Sequence, residues 1–399
     1  MATHNNHVAT SPTGIYAHIV GWGMAVPESV MTNHDLAAIV ETDDDWIQTR
    51  TGIKERRIAG EHESTATLGY KAAQRALEVA DVLPIDIDLI VVATSTPEHV
   101  FPSTASLIQN WLGAKRAGAF DLAAACSGFV YALDMATQAI KSGSIQTAIV
   151  IGAETMSRVL DWQDRSTCIL FGDGAGAVVL QAGTNVGGVL SSVLRSDGAG
   201  ADVLCIPTNN VRELNGHKVQ KMYMVGREVF KFATRVVDQS IRDAAELAGI
   251  DVDEIDLVVP HQANQRILKS AAKKLKIDED KFMSNVERYG NTSAASIPIA
   301  LCEAIEAGRV RQDNHLVFVG FGGGLSWASM VIKWGVPEPS EQQGRMLNRR
   351  RRQLSYWVAR LRDRWINLRR AVRRVLQRFR PQQGRVPRLR DRVDQDDKI

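Results

Sequence analysis

The sequence predicts an α/β protein made of two similar halves, with a separate basic helix appended at its C-terminal end. Three observations carry this: a segment that repeats at a fixed offset, small-residue turns that follow apolar strand-like runs in both halves, and a sharp segregation of charge. Residues 76–92, ALEVADVLPIDIDLIVV, resemble residues 244–260, AAELAGIDVDEIDLVVP, at an offset of 168. The same offset aligns Ala132-Leu133 with Ala300-Leu301 and the strand-like run 148–152 with 316–320. Each half reads as helix, short loop, buried strand and a small-residue turn into another helix, with a further strand behind it. Two α/β halves related by a pseudo-two-fold follow.

Taken in order, residues 1–14 are polar and lack the apolar core of a signal peptide, so they are expected to be disordered and the protein cytosolic. Residues 15–185 form the first half and 186–336 the second. No stretch of about 18 residues is apolar enough to span a membrane. The four cysteines, at 126, 168, 205 and 302, show no CxxC spacing and no zinc-type histidine partner, which supports neither a metal site nor a disulfide framework and makes reduced thiols the expectation. Cys168, Cys205 and Cys302 read as packing residues. Gly172 to Gly176 reads as a tight turn, because it lacks the full GxGxxG register of a dinucleotide loop.

Cys126 is the strongest candidate for chemistry. It lies in Asp121-Leu-Ala-Ala-Ala-Cys-Ser-Gly-Phe129, on what reads as the first turn of a helix. Unpaired N–H groups and the positive end of the helix dipole there are expected to lower its pKa. His261-Gln-Ala-Asn264 follows an apolar run, and Gly290-Asn291-Thr-Ser-Ala-Ala-Ser296 precedes another helix. Under the 168-residue offset, Cys126 falls opposite Ala294, close to Asn291, and His261 falls opposite Ala93. Related strand-to-helix turns converge at one crevice in α/β architectures, so Cys, His and Asn can share a site.

Over roughly residues 15–336 the chain resembles β-ketoacyl-[acyl-carrier-protein] synthase III, a condensing enzyme of the thiolase fold. The resemblance rests on six motifs: Asp45 to Ile53, the Cys126 segment, Phe171 to Gly176, His261 to Asn264, Gly290 to Ser296 and Gly320 to Gly324. It implies a five-layered αβαβα body in which Cys126 takes an acyl group from acyl-CoA as a thioester. His261 and Asn291 then stabilise the enolate left when malonyl-acyl carrier protein loses CO2, and the backbone N–H groups of Cys126 and Gly324 form the oxyanion hole. It further implies CoA contacts at Trp46, Arg50, Thr51, Arg165, Phe230 and Asn264, with Trp46 and Arg165 sandwiching the adenine. Carrier-protein contacts fall at Arg266, Lys273 and Lys274. The acyl pocket falls at Ser95, Met156, Leu170 and Phe171, with Phe101 reaching into the neighbour's pocket of a homodimer. Acyl-CoA is a substrate, and no cofactor or metal is implied. Arg227 departs from the family pattern, which has a small amide near the tunnel mouth.

An acyltransferase or ketosynthase of specialised metabolism would load the same cysteine but use another acceptor. A thiolase would carry a second cysteine near the C-terminal glycine-rich turn, and 320–326 has none. An inactive scaffold whose working part is the tail is the reading from another class.

The tail lies outside the resemblance. Residues 341–399 hold 19 basic residues against 6 acidic ones, about +13, so the first 340 residues carry about −10 of the net +3. A linker is expected at 337–348, a basic amphipathic helix at 349–380 and a flexible end at 381–399. Leu354, Val358, Leu361, Trp365, Leu368, Val372, Val375 and Phe379 recur at alternating spacings of four and three. Arginines beside that seam make a parallel self-paired coil unattractive. Its expected partner is an anionic membrane surface, which would make the enzyme membrane-peripheral, or an acidic protein, the body included; nucleic acid is disfavoured.

Overall fold

The computed structural model describes residues 13–207, 212–214, 217–219, 221–335 and 342–378. The expected disorder at 1–14 and the flexible end at 381–399 therefore fall almost wholly outside the described residues. The first sheet contains β1 (Tyr16–Ala25), β2 (Leu89–Ala93), β3 (Gly118–Leu122), β4 (Thr147–Thr155) and β5 (Asp173–Gly183), in the order β1-β5-β4-β2-β3. The second contains β6 (Gly188–Ser196), β7 (Leu257–Pro260), β8 (His315–Gly322) and β9 (Ser326–Lys333), in the order β7-β8-β9-β6. The helices that matter for the site are α1 (Asp44–Thr51), α2 (Thr65–Ala80), α3 (Thr104–Leu112), α4 (Gly128–Lys141), α5 (Gly226–Ala248), α6 (Gln265–Leu275), α7 (Ser296–Glu306) and α8 (Gln342–Arg378).

The layering follows from which faces are apolar. Helices α4 and α7 are hydrophobic nearly all round and sit between the two sheets, where Phe129, Leu133, Ile297 and Leu301 pack with Val91, Val150, Val259 and Phe318. Helices α2 and α3 cover the outer face of the first sheet, and α5 and α6 cover that of the second. The result is the five-layered αβαβα arrangement.

The offset of 168 is written into the strand register. Leu89 pairs with Ala148 between parallel β2 and β4, and Leu257 pairs with Leu316 between parallel β7 and β8. Asp88 accepts from the amides of Gln146 and Thr147, and Asp256 accepts from that of His315. The same carboxylate thus ties the start of the neighbouring strand in both halves.

Gly172 to Gly176 is not a turn but leads directly into β5, which begins at Asp173. Its glycines serve interlayer approach. A Cβ on Gly176 would lie 2.6 Å from Cβ of Pro298, so a larger residue would push α7 off the sheet.

The C-terminal helix begins at Gln342, inside the expected linker at 337–348. Apolar periodicity could not reveal those first turns, because they carry no seam. Nor does the helix leave the body: Arg352, 4% exposed, donates to Asp81 at 2.7 Å, and Asn348 donates to the same carboxylate at 2.9 Å. Tyr356 packs edge-on to Tyr70 of α2, and Asp363 accepts from Asn110 of α3 at 2.8 Å.

Candidate active site

The site is built where α4 and α7 begin, at the two symmetry-related turns between the sheets. Ala125 and Ser293, the paired residues of those turns, both adopt a left-handed backbone, with φ of 47° and 49°. Such a conformation costs a non-glycine residue about 1–3 kcal/mol and persists only where the surroundings enforce it. Here it places Cys126 and Ala294 at the helix entrances. Neither α4 nor α7 has a side-chain cap at its N-terminus, so their first N–H groups have no capping side chain.

Cys126 Sγ donates to Ser293 Oγ at 3.5 Å, and Ser293 Oγ donates onward to Glu154 Oε1 at 3.0 Å. The Ser293 amide donates to Asn291 Oδ1 at 2.8 Å, which leaves the Asn291 NH2 group as its available donor. Ser296 Oγ donates to the Ser293 carbonyl at 2.8 Å and lies 2.7 Å from His261 Nδ1. One short segment therefore joins all three predicted residues, with Ser293 as the node. Its backbone is pinned to the first half, because the Asn291 amide donates to the Leu170 carbonyl at 2.8 Å and the Gly172 amide to the Asn291 carbonyl at 3.0 Å.

The electrostatics differ from expectation at Cys126. Burial pushes its thiol up to about 12, against the smaller opposing effect of Ser293, and the nearby Glu154 carboxylate pushes the same way. The expected lowering by the helix start does not prevail, because removal from water penalises a thiolate more than a few N–H dipoles favour it. Burial likewise holds His261 at about 3, so the imidazole is neutral, with its ring edge-on to Phe321. Glu154 is pushed up to about 7 by burial, offset by hydrogen bonds from Thr96, the Ser95 amide, Ser293 and Thr94.

Sequence reasoning missed Glu154, Ser293 and Ser296. The signal for Glu154 was a lone carboxylate in the otherwise apolar run of β4. Gly322 was also missed as the glycine beside the nucleophile: a Cβ there would sit 2.9 Å from Cys126 Cβ and 3.1 Å from its Sγ. Gly324, at φ of 135°, has Ser326 as its nearest neighbour.

The predicted CoA residues are gathered but not uniformly free. Arg50 and Arg165 both lie over the Trp46 ring, at 4.8 and 5.1 Å from its centroid. A base can enter between Trp46 and Arg165 only if the guanidinium moves away, so the sandwich is not preformed. Thr51 is buried and its hydroxyl is engaged with Ile47 O and the Ile53 amide, which makes it a helix-end residue of α1. Asn264 caps α6 through the Arg266 amide and donates to Arg50 O, joining α6 to α1. Phe230 lies under Arg266, at 5.1 Å. Among the predicted carrier-protein cations, Arg266 and Lys273 are exposed, whereas Lys274 is drawn to Asp238 at 3.1 Å. Arg227 is exposed in the first turn of α5.

Met156, Leu170 and Phe171 share one apolar cluster with Leu160 and Met222. Ser95 lies beside it through its amide contact with Glu154. Phe101 is 84% exposed and Val100 is 85% exposed, an unusual degree for adjacent large apolar residues. Among the described residues, no cluster of three His, Cys, Asp or Glu side chains is placed to hold a metal ion, and no helix is long and apolar enough to cross a membrane.

Two family models match this chain, 3-Oxoacyl-[acyl-carrier-protein (ACP)] synthase III over residues 120–198 and its C-terminal counterpart over residues 245–334. A beta-ketoacyl-[acyl-carrier-protein] synthase III of Clostridium acetobutylicum is 50% identical over 79% of this chain and 98% of its own length. Its counterpart from Symbiobacterium thermophilum is 51% identical, over 79% and 98%. The crystal structure of the Thermus thermophilus synthase III superposes with a TM-score of 0.77 at 45% identity, covering 80% of this chain and all of that one. A priming beta-ketosynthase from the R1128 polyketide biosynthetic pathway superposes at 0.76 with 36% identity, over 81% of this chain and 97% of its own.

Proposed function

The chain belongs to the 3-oxoacyl-[acyl-carrier-protein] synthase III family, and we propose that it condenses a short acyl-CoA with malonyl-acyl carrier protein through Cys126, His261 and Asn291. The observation that carries this is the 291–296 segment, which connects the thiol, the carboxamide and the imidazole through Ser293 and Ser296.

In the first half-reaction, Cys126 Sγ attacks the acyl-CoA carbonyl. The oxyanion is received by the backbone N–H of Cys126 and by an N–H of the Gly322 to Gly324 turn, of which Gly322 rather than the expected Gly324 lies against Cys126, the bond to the CoA sulfur breaks, and that sulfur takes up a proton. In the second, the malonyl C–C bond breaks and CO2 leaves with its electrons retained on the thioester as an enolate. Asn291 Nδ2 and His261 Nε2 each donate to the enolate oxygen; a neutral imidazole suits this because it can donate without delivering a full proton. The enolate carbon attacks the acyl-Cys126 carbonyl, a C–C bond forms, and collapse expels the Cys126 sulfur. The products are 3-oxoacyl-carrier protein, CO2 and CoA, the opening step of fatty acid synthesis.

Trp46, Arg50, Arg165, Phe230 and Asn264 would line the route of the CoA arm, with Thr51 supporting α1 from behind. Arg266 and Lys273 would meet the acidic carrier protein, with Lys274 recruited from Asp238. The exposure of Phe101 supports a homodimer in which it enters the partner's acyl pocket, beside Ser95, Met156, Leu170 and Phe171. Curated synthase III relatives at about 50% identity over 98% of their own length support fatty acid initiation over specialised metabolism. On this reading the enzyme works in the cytoplasm without a resident cofactor.

The test is intact-protein mass spectrometry after incubation with a panel of acyl-CoAs, with Cys126→Ala as control, followed by malonyl-carrier protein. Acylation lost in the variant, and discharged with CO2 release, supports the condensing role. Acylation that malonyl-carrier protein cannot discharge would move the reading to another acceptor, and no acylation at all would favour a scaffold.

A further inference from the structure

We propose that α8 is a two-faced strap, whose inner face clamps the body and whose outer face lies on an anionic phospholipid bilayer surface. The inner face is set by Arg352, Tyr356, Ala359 and Asp363, spaced four, three and four apart, all turned toward α2 and α3. On the opposite face run Leu354, Val358, Leu361, Trp365, Leu368 and Val372, from 41% to 62% exposed. The helix is held to the enzyme chiefly by polar and aromatic contacts; Leu354 and Val358 at the start of the seam border a groove against Ile85 and Lys115, and from Leu361 onward the seam faces away.

Charge complementarity selects the occupant. The helix carries thirteen arginines and a single acid, Asp363, and that acid is turned inward onto Asn110. The outward face thus presents no carboxylate. Arg350, Arg351, Arg364, Arg369 and Arg373 are all exposed and flank the stripe. Guanidinium groups pair bidentately with phosphates and stay charged at any working pH. A stripe from Leu354 to Val375 extends about 32 Å as a straight, narrow strip. A bilayer interface matches both components at once, acyl chains under the stripe and phosphates beside the arginines. Trp357 and Trp365, both more than half exposed, are the residue type that sits at that depth. A second copy of the helix would bring like arginines together along the seam, and an acidic protein would match the charge but leave no reason for an unbroken apolar strip.

The experiment is flotation of the full chain with phosphatidylcholine vesicles, with and without about 30% phosphatidylglycerol. Two variants accompany it. One replaces the stripe (Leu361→Ser, Trp365→Ser, Leu368→Ser) and the other the flanking charge (Arg364→Gln, Arg369→Gln, Arg373→Gln). Co-flotation with the anionic vesicles only, reduced about tenfold or more in each variant while acylation by acyl-CoA is kept, is the expected result. Brominated acyl chains should also quench tryptophan fluorescence in the wild type and not in the conservative Trp357→Phe, Trp365→Phe variant, which retains the stripe. Absence of flotation overturns the proposal. So does flotation unaffected by the stripe variant, or capture by acidic carrier protein or by DNA in place of vesicles.

Discussion

His261 Nδ1 lies 2.7 Å from Ser296 Oγ, and that hydroxyl has only one proton to place between the imidazole and the Ser293 carbonyl, 2.8 Å away. When Ser296 donates to Nδ1, the neutral ring must carry its proton on Nε2, which makes Nε2 a donor. At rest Ser296 donates to the Ser293 carbonyl, so Nδ1 carries the ring proton and Nε2 is an acceptor; holding an enolate requires the hydroxyl to turn onto Nδ1 and the ring proton to sit on Nε2. Ser296 thus sets the tautomer. Ser296→Ala should slow the malonyl-dependent half-reaction by about tenfold or more, with Cys126 acylation unchanged, and Ser296→Thr should restore much of it. Separate rates for acyl loading and CO2 release decide this; equal losses in both would point to a disturbed α7 instead.

Glu154 is the terminal acceptor of the chain that starts at the Cys126 thiol. As Sγ attacks, its proton can pass to Ser293 Oγ while the serine proton passes to Glu154, so charge moves without a free thiolate in a dry site. Acylation should rise with pH through about 7, where Glu154 ionises, and Glu154→Gln should be slower and lose that limb. An unchanged pH profile in the variant would leave Glu154 with a packing role.

Gly322 leaves the space that Cys126 occupies. Gly322→Ala would bring a Cβ to 2.9 Å from Cys126 Cβ, so acylation should fall by about a hundredfold, an effect of the size seen when reacting groups are misplaced by an ångström. Gly335→Ala, where a Cβ meets nothing within 4 Å, should be silent in the same mass-spectrometric assay.

Burial of His261 without a charged partner makes the fold acid-sensitive. The unfolded chain takes up that proton near pH 6.5 and the folded one only near 3. Between those values the unfolded state binds more protons, so stability falls as pH falls and is fully present only above about 6.5. His261→Gln should flatten this part of the profile in denaturant midpoints measured from pH 7 to 4.

Arg352 is the buried anchor of α8. Arg352→Ala would leave the Asp81 carboxylate with Asn348 as its one partner from α8 and no opposing charge, so proteolysis within 342–378 should accelerate about tenfold while Cys126 acylation persists. Unchanged cleavage would place the docking energy in Tyr356 and Asn110 instead.

Much of the site was legible because local chemistry dictates it. The 168-residue offset survives as strand register, since a one-residue slip would turn each buried strand inside out. Cys126 and His261 could be read because each follows a strand and opens a turn, Asn291 because its turn leads into α7, and all three because six spaced motifs resemble one family. Thr51 and Asn264 carry the right motif, yet their polar atoms are consumed by α1 and by the link from α6 to α1. Where a hydrogen bond goes is decided by the tertiary fold.

What the sequence determined by itself was the two-fold α/β body, the three candidate residues that the fold brings together and the charge-segregated helix, all of which are encoded in patterns along the chain. Three things were left to the tertiary structure. Burial raises the Cys126 thiol where a helix start would lower it; Ser293, Ser296 and Glu154 link groups far apart in sequence; and α8 docks by its polar face while its apolar stripe turns outward. The reason is common to all three. Desolvation, hydrogen-bond partnership and the choice of a helix's buried face are set by atoms from distant segments, and no local pattern of residues contains them.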